Sequence, residues 1–251
     1  MKKLVSLILA LILMLFSVSA LADTDLSAMT DEELEQLIQA AQAELNSRKT
    51  SSDAAALESD GMVTVKEAGF QVKGKGKWLY YSFIAHSNLT DKAIKYPEFK
   101  IVVRDAEGGL ISSDSQVLNT LYPGQDIMYG NMGMNVEGES PASIEIEFVE
   151  PGDDWHIIDP SETEYPGYQP IEVDSARLKK DGNIVGEFTN PNSFDIDQVA
   201  VTVLFRDADG KLLAGETTFV NGAKAGKSTA FEIQVDKELA TDNYEVFVQP
   251  W

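Results

Sequence analysis

Val199-Ala200-Val201-Thr202-Val203-Leu204-Phe205 runs straight into Arg206-Asp207-Ala208-Asp209-Gly210. Val199, Val201, Val203 and Phe205 fall two residues apart, the period at which side chains return to the same face of a β-strand. Asp207 and Asp209 favour a turn through side-chain bonds to nearby backbone, and Gly210 accepts the positive φ that a tight hairpin demands. Leu212 to Val220 then continues as the returning strand. This stretch predicts a β-hairpin with one apolar face.

The same writing occurs 102 residues earlier. Phe99, Ile101 and Val103 alternate, and Arg104-Asp105-Ala106-Glu107-Gly108 turns the chain. Without gaps, residues 88–124 aligned on 190–226 give nine identities: Asn88/Asn190, Ile94/Ile196, Arg104/Arg206, Asp105/Asp207, Ala106/Ala208, Gly108/Gly210, Leu110/Leu212, Asn119/Asn221 and Gly124/Gly226. Both copies close alike, with Phe148-Val149-Glu150-Pro151 answering Phe247-Val248-Gln249-Pro250 and a tryptophan after each, Trp155 or Trp251. A period near 100 is too long for a solenoid and suits tandem domains. Asp181-Gly182 supplies a second hairpin turn, and Lys73-Gly74-Lys75-Gly76-Lys77 its counterpart. Short strands separated by frequent turn signals predict antiparallel sandwiches. The expected organisation is a β-sandwich over 62–150, an acidic linker over 151–169 rich in Pro, Gly, Asp and Glu, and a second β-sandwich over 170–251.

The beginning of the chain reads differently. Lys2 and Lys3 precede an apolar run from Leu4 to Val18, and Ala20-Leu21-Ala22 ends it. A charged start, an apolar core and a small-x-small end predict a signal peptide over 1–22. Residues 23–61 are expected to hold one amphipathic helix and a linker. Thr30 and Glu33 form a capping box for a helix over 30–48, with Leu34, Leu37, Ile38, Ala41 and Leu45 on one face. No apolar segment long enough to span a membrane is expected after cleavage.

The 251 residues carry a net charge of −21. Without residues 1–22 the balance is 18 basic against 41 acidic side chains, a net −23. Such a chain repels nucleic-acid phosphates and anionic lipid. It has no cysteine and two histidines, His86 and His156. Thiolate metal sites, disulfides and thiol catalysis are therefore excluded.

The strand of alternating apolar residues, the Asn190 to Ser193 stretch before it and the Asp-x-Asp-Gly turn after it resemble FxLYD-type modules of exported bacterial proteins. The naming motif falls on Val203-Leu204-Phe205-Arg206-Asp207 and on Ile101-Val102-Val103-Arg104-Asp105, with Arg where that family has Tyr. The resemblance implies immunoglobulin-like sandwiches and export, and carries no common activity.

Few residues point to chemistry. Asp207, Asp209 and Gly210 resemble the start of a calcium loop, but strand residues follow where further oxygen ligands belong, so a hairpin turn is the expected reading and calcium the alternative. Trp78 and Tyr80 share a face of one strand and would form an aromatic strip able to stack on sugar rings, or else pack as core. Trp155, Tyr165 and Tyr168 fall in the acidic linker, where they would meet a partner or pack between modules. No G-x-S-x-G, phosphate loop or dinucleotide fingerprint occurs. The expectation is an exported, secreted or cell-envelope, non-enzymatic binding or adhesion protein without cofactor, whose partner is an envelope protein or polysaccharide. A calcium- or glycan-binding module and a secreted hydrolase are the alternatives.

Overall fold

The computed structural model describes residues 61–251; the signal peptide expected at 1–22 and the helix expected at 30–48 lie outside them. Fifteen strands follow one another: β1 Val63–Lys73, β2 Trp78–Ser87, β3 Ala93–Lys95, β4 Glu98–Arg104, β5 Leu110–Val117, β6 Thr120–Leu121, β7 Asp126–Asn135, β8 Ser143–Val149, β9 Ile157–Ile158, β10 Val173–Leu178, β11 Ile184–Thr189, β12 Ile196–Arg206, β13 Leu212–Ala223, β14 Ser228–Ile233 and β15 Tyr244–Pro250. The described fold is mainly β, and the strands pair antiparallel. Among the described residues no helix is long and apolar enough to cross a membrane.

The alternation read from the sequence builds two sandwiches. In the first half, sheet β1-β2-β7 lies against sheet β5-β4-β8. Leu79, Tyr81 and Phe83 of β2 meet Phe99, Ile101 and Val103 of β4 in its core, with the Phe83 and Phe99 rings 4.8 Å apart. In the second half, sheet β10-β11-β14 faces sheet β13-β12-β15, around Ile184, Phe188, Val201, Val203, Phe205 and Phe231. Burial of these side chains is worth about 1.5–3 kcal/mol each and stands in for the missing disulfides. A small sheet, ordered β6-β3-β9, joins the first half to the segment after it.

Pairing details recur between the halves. The β4–β5 ladder shifts register between Val103 and Arg104, and the β12–β13 ladder between Phe205 and Arg206. In each turn the aspartate accepts two backbone N–H bonds, Asp105 from Glu107 and Gly109, Asp207 from Asp209 and Lys211. Arg104 donates to Glu145 and the Gly108 carbonyl, as Arg206 does to Glu245 and the Gly210 carbonyl. The arginine therefore ties its turn to the neighbouring strand. Gly108 and Gly210 both have φ of +83°, as the hairpin reading required.

The segment expected as a linker is folded onto the sandwiches. Residues 151–169 hold short 3-10 turns at Asp154–His156 and Pro160–Glu162, with β9 between them pairing Ile157 to Ile94. Tyr165 is buried and stacks on Phe194 at 5.8 Å, while the Tyr122 hydroxyl donates to the Tyr165 carbonyl. Tyr168 lies 4.9 Å from the Tyr122 ring. Its acidic composition marks an exposed segment, but its isoleucines and tyrosines supply the apolar surface that anchors it.

The two halves meet backbone to backbone. The outer face of β1-β2-β7 lies on the outer face of β13-β12-β15, around Ile84, Leu204 and Leu212. A Cβ on Gly69 would overlap the Leu212 carbonyl oxygen, and one on Gly130 would stand 2.5 Å from the Gly215 carbonyl carbon. Gly130 N–H donates to Thr217 Oγ1, and Met128 N–H to Gln249 Oε1. Arg206, mostly buried, adds a paired ion contact with Glu67 across the same seam. The register makes Ala200, Thr202, Gly215, Thr217 and Phe247 the counterparts of Glu98, Lys100, Ser113, Ser115 and Glu147. At these five positions the covered face carries no charge, whereas its counterpart on the first half carries three charged residues.

Two glycine substitutions separate these effects. Gly210→Val forces a β-branched residue into the left-handed region of the turn and should cost about 1–2 kcal/mol. Gly69→Val drives a side chain into a neighbouring backbone and should cost at least about 1–3 kcal/mol. Thermal melts of both variants check the order, and a Gly69→Val melt equal to wild type would contradict the close packing.

Candidate functional site

The aromatic strip expected at Trp78 and Tyr80 is turned inward. Tyr80 is only 5% exposed and joins the core of the second half, where Trp78 packs beside it. Its hydroxyl donates to Asp236 Oδ2 at 3.2 Å. Alternation put Trp78 and Tyr80 on one face and left open whether that face was core; it is covered by the other sandwich, which buries Tyr80 and leaves Trp78 partly buried. Trp251 makes the reverse contact, stacking on Tyr129 and packing against the first core.

Glu216 lies in this seam. Burial, and next the charge of Asp236, push its carboxyl up to about 7. The Tyr80 hydroxyl is pushed up to about 12 by burial and then by Asp236. The Glu216 proton is therefore held by the folded protein well above the pH at which an unfolded glutamate loses it.

Asp207 and Asp209, the calcium candidates, sit in the hairpin between β12 and β13. Asp207 Oδ1 accepts from the Asp209 and Lys211 N–H groups at 2.9 Å each, so that oxygen closes the turn. Among the described residues no group of three or more His, Asp or Glu side chains is placed to hold a metal ion.

Trp155 stands apart from the other candidates. It is 54% exposed, in a short 3-10 turn leading into β9. The His156 ring lies 3.6 Å from its centroid, and the Tyr96 ring meets it edge-on at 6.4 Å. Tyr96 is 43% exposed and has φ of +55°, a left-handed conformation that L side chains rarely adopt. Its N–H donates to the Asn119 carbonyl at 2.6 Å, and Lys95 Nζ lies 5.1 Å from its ring centroid. His156 Nδ1 donates to the Lys95 carbonyl at 2.7 Å. The Tyr96 backbone is thus hydrogen-bonded and the Trp155 ring rests on His156, while both rings face solvent. Trp155 was legible in the sequence; Tyr96 was not, because nothing in its neighbours announces a positive φ at a tyrosine.

A cleft of about 600 Å³ opens where the halves adjoin, lined by Tyr122, Ile127, Met128, Tyr168, Ile171 and Phe247 among others. Lys66, His86 and Asp126 stand together on its wall. His86 Nδ1 donates to Asp126 Oδ1 at 2.6 Å, and Lys66 Nζ donates to both carboxylate oxygens. The carboxylate fixes the imidazole tautomer and leaves Nε2 as the other ring nitrogen available for hydrogen bonding.

Comparison of the chain with known families and with curated proteins finds no match. Among solved structures, a calcium-binding mutant of Bacteroides uniformis beta-glucuronidase 2 is similar at 12% identity with a TM-score of 0.18. The match covers 65% of this chain and spans 22% of that one. A likeness at this level carries neither fold nor activity across.

The Glu216 geometry predicts a pH dependence with a definite sign. Its folded value is raised, so its contribution to stability is complete below about pH 4.5 and is lost as pH rises through about 7. The melting temperature should fall between pH 5 and 8, and Glu216→Gln should flatten that fall. An equal slope in the variant would place its origin elsewhere.

Proposed function

We propose that this chain is an exported, non-enzymatic binding or adhesion protein of the cell envelope, built on modules like the FxLYD type its sequence resembles. The observation that carries the reading is the solvent-facing pair Trp155 and Tyr96, with the Tyr96 N–H bonded to the Asn119 carbonyl and the Trp155 ring against His156. Exposed aromatic side chains offer large contact area at small entropic cost, which is why they serve as binding anchors. The lysine-led apolar segment ending at Ala22 supports export, and the acidic balance supports an extracytoplasmic partner that is not a polyanion. The partner is an envelope protein or polysaccharide.

Retention of envelope extract on the immobilised protein tests this reading. Wild type should retain a component, and Trp155→Ala should lose at least tenfold in affinity with unchanged circular dichroism. Absence of retained material would overturn it. N-terminal sequencing of the exported protein should begin at Asp23.

One observation favours a hydrolase as the second reading: the His86–Asp126 pair on the wall of the cleft. A carboxylate-oriented imidazole can act as a general base toward water. Turnover of an ester or glycoside reporter that disappears in His86→Ala would establish it.

A further inference from the structure

We propose that the open outer face of sheet β5-β4-β8, together with Trp155 and Tyr96, binds a polysaccharide chain free of acidic groups. This inference rests on the binding reading above and names the class of partner.

The two sandwiches present corresponding faces with opposite fates. On the second half that face is uncharged at Ala200, Thr202, Gly215, Thr217 and Phe247 and lies under the first half. On the first half the same positions are Glu98, Lys100, Ser113, Ser115 and Glu147, and Lys100, Ser115 and Glu147 are exposed. Substituting charge for Ala200, Thr202 and Phe247 keeps a second sandwich from docking there, because buried unpaired charge is costly. What remains is a solvent-facing surface with several hydrogen-bonding groups. Ser115 Oγ donates to Glu98, and Lys100 Nζ lies 4.0 Å from Glu147. Each carboxylate keeps further acceptor sites, which suit the hydroxyl donors of a sugar. In register, Glu98 lies between the exposed Val117 and Val149, so the polar groups alternate with short apolar ones.

Tyr96 precedes this face by two residues, and Trp155 follows β8. His156 occupies one side of the Trp155 ring, and the ring remains 54% exposed. A pyranose offers a C–H-rich face to such an indole while its hydroxyls reach the carboxylates. A protein partner would need an interface centre depleted of charge, and this face has the reverse composition. Free carboxylates and a net charge of −21 turn away acidic glycans and nucleic acids.

Affinity electrophoresis of the full protein through gels containing a neutral β-glucan, partly deacetylated chitin or polygalacturonate tests the proposal, alongside retention of envelope extract. The neutral or the amino-bearing polymer should retard the wild type, and Trp155→Ala and Glu147→Ala should each reduce retardation at least fivefold, with unchanged circular dichroism. Retardation by polygalacturonate alone, or equal retardation of Trp155→Ala, would overturn it. Retained envelope material that is sensitive to proteinase and resistant to periodate would overturn the glycan assignment while leaving the binding reading standing. Retention of neither polymer nor extract would overturn both.

Discussion

Much of this molecule depends on the direct approach of two backbones at Gly69, Gly130 and Gly215. Side chains normally hold packed sheets about 10 Å apart. Here the glycines let β13 settle onto β1, β2 and β7, close enough for a Thr217 hydroxyl and the Gln249 amide to accept bonds from β7 N–H groups. Those bonds occupy edge donors that would otherwise invite pairing with another chain. The seam also decides which aromatic groups are available, since it buries Tyr80 and takes Trp251 against the first core. The cleft bearing His86 and Asp126 exists because the halves adjoin at that junction.

The seam is electrostatically mixed. Arg206 bridges Glu67 of the first half and Glu245 of the second, so it has a structural role in the contact between halves. Glu216, by contrast, contributes a carboxyl that is tolerated most easily when neutral. One buried ionisable group is paired and the other is not, and only the second makes the packing responsive to acidity.

Much of the fold was legible in the sequence because alternation and turn chemistry are local. Val199 to Gly210 announces its strand and its hairpin, and the earlier copy repeats both. The pairing of faces on β2 was legible too, Trp78 with Tyr80 and Tyr81 with Phe83; that the second pair enters the first core is seen only in the structure. What alternation cannot give is the identity of whatever covers the outward face. That depends on Gly69 and Gly130 meeting a strand much further along the chain, a contact visible only in three dimensions. The segment 151–169 misled through composition, because a few isoleucines and tyrosines among many acids suffice to anchor a chain that has a neighbouring strand to pair with. Trp155 stood out as a candidate; its companion Tyr96 owes its place to a backbone conformation with no sequence signal.

The contact between halves joins two unlike faces of like modules, and a contact of that kind is not self-complementary. Repeated from one molecule to the next, it would propagate as a ring or as an open filament. Glu98, Lys100 and Glu147 act as an end-stop to that growth, since a further sandwich arriving there would have to desolvate them. Exchanging the three for their counterparts Ala200, Thr202 and Phe247 would remove this barrier, and further association would then be set by concentration alone.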